Sequence, residues 1–102
     1  MARWTLWRAE RVIVIRGSTH IGRFNKTGMS DRQFCRLCGG HLMTHHPVLG
    51  FTDVRAAALP GISFEPTVHL NYAEAVLRMK DGLPKLRDFR AEVGGSGAIV
   101  AE

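Results

Sequence analysis

Cysteine is scarce in this chain: Cys35 and Cys38 are the only two among 102 residues. Long apolar runs are absent as well, and no stretch approaches the roughly 20 residues that a membrane-spanning helix requires. The opening Met1-Ala-Arg-Trp-Thr-Leu-Trp-Arg-Ala-Glu10 lacks the apolar core and small-residue cleavage site of a signal peptide. These absences lead to the expectation of a cytoplasmic protein with no membrane partner, in which both cysteines are reduced thiols. There is no Gly-rich phosphate loop. Gly94-Gly95-Ser96-Gly97 has no strand before it and no helix after it, and residues 91–102 read as a loose tail. No local motif marks a catalytic nucleophile. The carboxylates are scattered, with no pair placed for acid–base work. Internal repeats and low-complexity tracts are also missing.

What remains is a domain-sized chain, read as a single domain over 1–102. Its apolar share of 45% allows a core, with a modest stability margin that a metal or a partner subunit would widen. The net charge of +5 is uneven. Residues 1–36 hold eight basic side chains against Glu10 and Asp31, a net of +6. The rest holds six basic and seven acidic residues, a net of −1. Such an asymmetry suits either a nucleic-acid or anion surface or a plain solvated face. The arginines stand singly, and no aromatic-rich basic strand or recognition helix accompanies them, so nucleic acid is not the expected partner.

The pattern predicts short strands and little helix. Glu10–Arg16 is a β-branched run closed by Gly17, and Thr19–Phe24 reads as a second strand. Asn25–Ser30 is a turn, and Arg32–Cys35 leads out of it. His41–His46 is a strand ended by Pro47, and Phe51–Arg55 alternates with period 2. Pro60-Gly61 is a turn. Val68–Tyr72 alternates again, Tyr72–Met79 has weak helical spacing, and Leu83–Phe89 is an irregular connection. Trp4 and Trp7 form an apolar patch that suits core packing or an exposed partner face. The expected fold is a small, mainly β domain of short antiparallel strands.

Phe34-Cys35-Arg36-Leu37-Cys38-Gly39-Gly40 carries the chemistry. One tight turn presents two sulfurs to a single ion, and glycine after the second cysteine permits a positive φ there. A thioredoxin-type redox pair would need a helix starting at the motif, which Gly39-Gly40 opposes. The alternatives are a metal knuckle with Cys35 and Cys38 as ligands, or two buried small hydrophobes. Structural zinc takes four ligands, so a metal reading needs two more. His41, His45 and His46 lie nearby, with His20 and His69 further off. On a strand, His41 and His45 would share a face and His46 would point the other way. Ordinary hydrogen-bonded roles for these histidines are the competing expectation.

The stretch Ser30-Asp-Arg-Gln-Phe-Cys-Arg-Leu-Cys-Gly-Gly-His-Leu-Met-Thr-His-His-Pro47 resembles the later half of the glutathione-dependent formaldehyde-activating enzyme family. Pro66-Thr-Val-His-Leu-Asn-Tyr-Ala-Glu74 and Asp81-Gly-Leu-Pro-Lys-Leu-Arg-Asp-Phe89 resemble it too, in the same order. The resemblance runs from about Trp7 to about Gly97. It implies a β-tent, in which small sheets are tied together at a structural zinc, with Cys35 and Cys38 matching the late half of that site. It further implies a carbon–sulfur lyase reaction that joins formaldehyde to glutathione as S-(hydroxymethyl)glutathione, with glutathione or a related thiol adduct as partner. The family's early Cys-x-Cys pair and its catalytic cysteine triplet have no counterpart here. The expectation is therefore an N-terminally truncated domain with the activity impaired or lost and no assignable catalytic residue. Zn2+ would be structural, shared by Cys35 and Cys38 of two chains in a homodimer. Two rivals stand beside it: a non-catalytic zinc-knuckle binding module using the basic first third, and an enzyme rebuilt on His41, His45 or His46.

Overall fold

The computed structural model describes residues 2–25 and 27–102. The chain's contacts group into two compact units, one ending at Phe64 and one spanning Glu65–Glu102. The first unit is a single open sheet of five antiparallel strands: β1 (Trp4–Arg8), β2 (Ile21–Phe24), β3 (Asp31–Cys35), β4 (His41–His46) and β5 (Phe51–Arg55). Their order is β1-β5-β4-β3-β2. Strands β2 to β5 form a meander of short hairpins, and β1 closes on β5 from the far side, with Trp4 opposite Arg55 and Arg8 opposite Phe51. The expected mainly β class with little helix holds: the described residues contain no α-helix, only three-residue 3₁₀ turns.

Alternation along the strands decides which side chains are covered. Met43 and Val54 face each other across β4 and β5 and are buried on the same side as Asp31, Gln33 and Thr52. Burying each apolar side chain contributes about 2 kcal/mol. The polar members are satisfied: Arg23 donates to Asp31 Oδ2 at 3.1 Å, and Gln33 Nε2 donates to the same oxygen at 3.4 Å.

Four strand or helix expectations need correction, the last of them, Val68–Tyr72, in the second unit. Glu10–Arg16 is not a strand: Ala9–Arg11 is a 3₁₀ turn, and Ile13 and Ile15 are 79% and 86% exposed. Its β-branched residues have the propensity, but no neighbouring strand pairs with them, and propensity without a ladder does not make a sheet. The first strand lies earlier, on the tryptophan patch, where Trp4 is half-buried and Trp7 is 41% exposed. Thr19–Phe24 shortens to β2 because Ser18–His20 forms a 3₁₀ turn. Tyr72–Met79 yields only the turn Tyr72–Glu74, entered through Asn71 at a left-handed φ of 51°.

The second unit is held by backbone bonds between extended segments. Val68–Tyr72 contributes one parallel bridge, His69 with Lys85, not a strand. His69 N–H donates to the Pro84 carbonyl at 2.9 Å, and Leu86 N–H returns to the His69 carbonyl at 2.8 Å. Residues 91–102, expected to be loose, carry bonds from Val100 N–H to the Lys85 carbonyl (2.9 Å) and from Arg87 N–H to the Ala98 carbonyl (2.8 Å). Tyr72 and Leu86 are the buried apolar side chains of this unit.

Candidate functional site

The two thiols sit on the hairpin between β3 and β4. Cys35 ends β3, and its backbone N–H donates to the Gly40 carbonyl at 2.8 Å while its carbonyl accepts from Gly39 N–H at 2.7 Å. Gly39 has φ 78°, a left-handed conformation in which a Cβ costs roughly 1–2 kcal/mol. The glycine after the second cysteine is thus a requirement of the turn, as its position in the sequence suggested. Arg36 N–H donates to the His20 carbonyl at 2.8 Å, fixing the loop to the chain entering β2.

The Cys38 sulfur meets a backbone amide. Gly40 N–H points to Cys38 Sγ at 3.4 Å. The amides of Cys38 and Leu37, followed by the Cys38 thiol, pull the Cys35 thiol below the usual cysteine range. Donors aimed at sulfur favour the thiolate, which is both nucleophile and metal ligand. Cys35 is half-buried, Cys38 is exposed, and neither is in a disulfide. The reading of two buried small hydrophobes therefore fails for Cys38.

The donor set fits half of a tetrahedral zinc site. Among the described residues, no group of three or more His, Cys, Asp or Glu side chains gathers where one ion could be held. Four of the five histidines are engaged elsewhere, and His20 is exposed on the turn before β2. His41 Nε2 shares a hydrogen bond with Thr44 Oγ1 at 3.1 Å, and His45 Nδ1 shares one with Thr52 Oγ1 at 3.0 Å. His46 Nε2–H donates to Asp53 Oδ2 at 3.0 Å, and its Nδ1 lies 3.4 Å from Ser30 Oγ. His69 Nε2–H donates to Asp81 Oδ2 at 2.6 Å in the second unit.

The expected face parity of the histidines is reversed. Gln33 pairs with Met43 but Phe34 pairs with His41, so β4 carries one extra residue there. Arg32 pairs with Thr44, and Arg32 and Phe34 share a face. The bulge therefore turns His41 to the face of Thr44 and His46, leaving His45 on the opposite one. The sequence held no sign of it, because a bulge is set by pairing across strands.

Sequence reasoning also passed over Arg3 and Arg55, which line one cleft with His41, and over the buried Lys85. Arg3 and Arg55 are far apart in the chain, so only the β1–β5 register joins them. Lys85 lies four residues after Asp81, a spacing that could have suggested the ion pair they form, though not its burial. No helix among the described residues is long and apolar enough to cross a membrane. Comparison with protein-family models, with curated proteins and with solved structures gives no match for this chain. The class defined by fold and site is a small antiparallel β domain with a two-thiol hairpin.

Proposed function

We propose that this chain is a zinc-knuckle domain whose Cys35 and Cys38 thiolates supply half of a structural Zn2+ site, completed by the same pair from a second chain. The observation that carries this reading is the hairpin itself: Gly40 N–H points at Cys38 Sγ, the neighbouring amides favour the Cys35 thiolate, and among the described residues no third ligand stands beside them. A symmetric pair of such hairpins would bring four thiolates to one ion, and closed four-cysteine zinc sites are structural. The sheet suits such pairing, since β1 and β2 are open edges. We place the domain in the cytoplasm, where thiols stay reduced.

The glutathione-dependent formaldehyde-activating family is the proposed kinship, resting on the three segments of resemblance around Cys35–Cys38, Val68–Tyr72 and Asp81–Phe89. Its lyase reaction requires a second zinc with an open position, and the described residues offer no ligand set for it. No step of that reaction is therefore assigned to residues of this chain. Glutathione or a related thiol adduct is the small-molecule partner the kinship implies. The rebuilt-enzyme alternative is not the one proposed: His41, His45 and His46 each bond to a separate partner, and His45 faces away from the other two.

The test is metal analysis of the purified chain combined with its native mass. One zinc per two chains, in a dimer that separates on chelation, supports the reading. A zinc-free monomer that stays folded overturns it.

A further inference from the structure

At one end of the sheet, the start of β1, the start of β4 and the end of β5 surround a cleft of about 580 Å³. Arg3, Arg55 and His41 supply its polar lining, and Ile62 and Phe64 its apolar wall. Three features of the fold build it. Ala56 N–H donates to the Arg3 carbonyl at 3.0 Å and sets Arg3 beside the end of β5. The β4 bulge turns His41 onto the face that carries Asp53 and Arg55. The turn at Pro60-Gly61 sends the chain back so that Ile62 and Phe64 reach the same cleft.

Charge is one-sided there. Among the described residues, Arg3, Arg32 and Arg55 make no side-chain hydrogen bond and no ion pair, although Arg55 is half-buried. Asp53 is the nearby acid, and His46 occupies its Oδ2. No buried side-chain nitrogen among the described residues is left without a partner, so the free guanidinium donors face solvent, where an anion can accept them in charge-assisted bonds. His41 adds to this: burial first, then the charge of Arg55, hold it below its ordinary range, so it is neutral near neutrality. Its Nε2 shares a hydrogen bond with the Thr44 hydroxyl at 3.1 Å, and in the tautomer in which Nε2 accepts, Nδ1–H is a third donor.

We propose that this cleft binds a small organic anion, a carboxylate or phosphate head on an apolar body. Arg55 and Arg3 grip the head with help from His41, and the body lies against Ile62 and Phe64. The cleft has the size of small-molecule sites, which pair an apolar wall with a few convergent polar groups. This inference is independent of the zinc reading, since no cleft residue belongs to the Cys35–Gly40 hairpin.

The experiment is an NMR titration of the full chain, following the arginine Nε–H signals, with benzoate in one arm and phenyl phosphate in the other. Sodium chloride at matched ionic strength is the control. The expected result is a saturable shift of the Arg55 and Arg3 signals in at least one arm, and the tighter arm identifies the head group. Arg55→Gln should weaken binding about tenfold, while Arg90→Gln, in the other unit, should leave it unchanged. Should Arg55→Gln lose the dispersed spectrum of the fold, the exposed Arg3→Gln carries the comparison, with weakening of about threefold or more expected. The proposal is overturned if neither probe saturates, if chloride moves the same signals equally, or if the folded arginine variants bind as the parent does.

Discussion

Lys85 Nζ donates to Asp81 Oδ1 at 2.6 Å, and the lysine is only 1% exposed. The same ammonium donates to the Leu83 carbonyl at 2.7 Å and stands 5.9 Å from the centre of the Tyr72 ring. Asp81 Oδ2 in turn accepts from His69. One carboxylate thus joins the cation of Lys85 to the ring of His69, at the position where Val68–Tyr72 and Leu83–Phe89 meet. Burial alone would lower the Lys85 pKa, but the bond to Asp81 and the charges of Asp81 and Glu102 raise it above its ordinary value.

Asp81→Asn should therefore destabilise the second unit, because a buried ammonium would lose the nearer of its two counter-charges and keep only Glu102 at 3.7 Å. Lys85→Met in the same background should recover part of the loss. Thermal unfolding of the three variants checks this, and equal midpoints for parent and Asp81→Asn would contradict it. The pH dependence has a definite sign. The Lys85 bond, followed by the His69 bond, holds the Asp81 carboxyl well below the usual range. The stabilisation is complete above the unfolded value of about 4 and is lost as pH falls from there through the depressed folded value. Acid should lower the unfolding midpoint of the parent over that window more than that of Asp81→Asn.

His41 predicts a loss in a different window. Burial and the charge of Arg55 depress its pKa, Asp53 opposes them, and Arg32 adds to them. The unfolded chain therefore takes up its proton first as pH falls below about 6.5. Stability should drop from there until the folded imidazole also titrates. His41→Gln should flatten that part of the profile, and the His41 ring signals in NMR should titrate below those of a free histidine.

Zinc should follow the thiols. Cys38→Ser is expected to abolish zinc uptake and dimer formation together, since a site with two serines in place of thiolates loses half its soft ligands. Native mass spectrometry with metal analysis reads both. Retention of one zinc per two chains in Cys38→Ser would rule out the shared site.

Gly22→Ala tests the β2–β3 pairing. Gly22 is buried opposite Phe34, and a Cβ there would run into the ring of Phe34. Overpacking of this kind costs about 1–3 kcal/mol. Denaturant unfolding should show that loss, and Phe34→Leu should relieve part of it in the double variant.

The strands β2, β4 and β5 were legible in outline because their signals are local. The turn residues of Asn25–Ser30, Pro47 as the end of β4 and the alternation over Phe51–Arg55 act within a few positions. Glu10–Arg16 misled for the opposite reason: its β-branched residues are sound strand material, but strand formation needs a partner ladder, and Trp4–Arg8 holds the place beside β5. The parity of the histidines failed at a single bulge.

Two features the sequence determined by itself are the mainly β class and the tight turn that carries Cys35 and Cys38, since both rest on short-range chemistry: alternation, turn formers and one glycine that accepts a left-handed φ. The tertiary structure alone decided the grouping of Arg3, His41 and Arg55 around one cleft and the burial of Lys85 against Asp81. Residues distant in the chain meet through strand register, and a bulge or a buried charge is stabilised only by the groups that folding brings beside it.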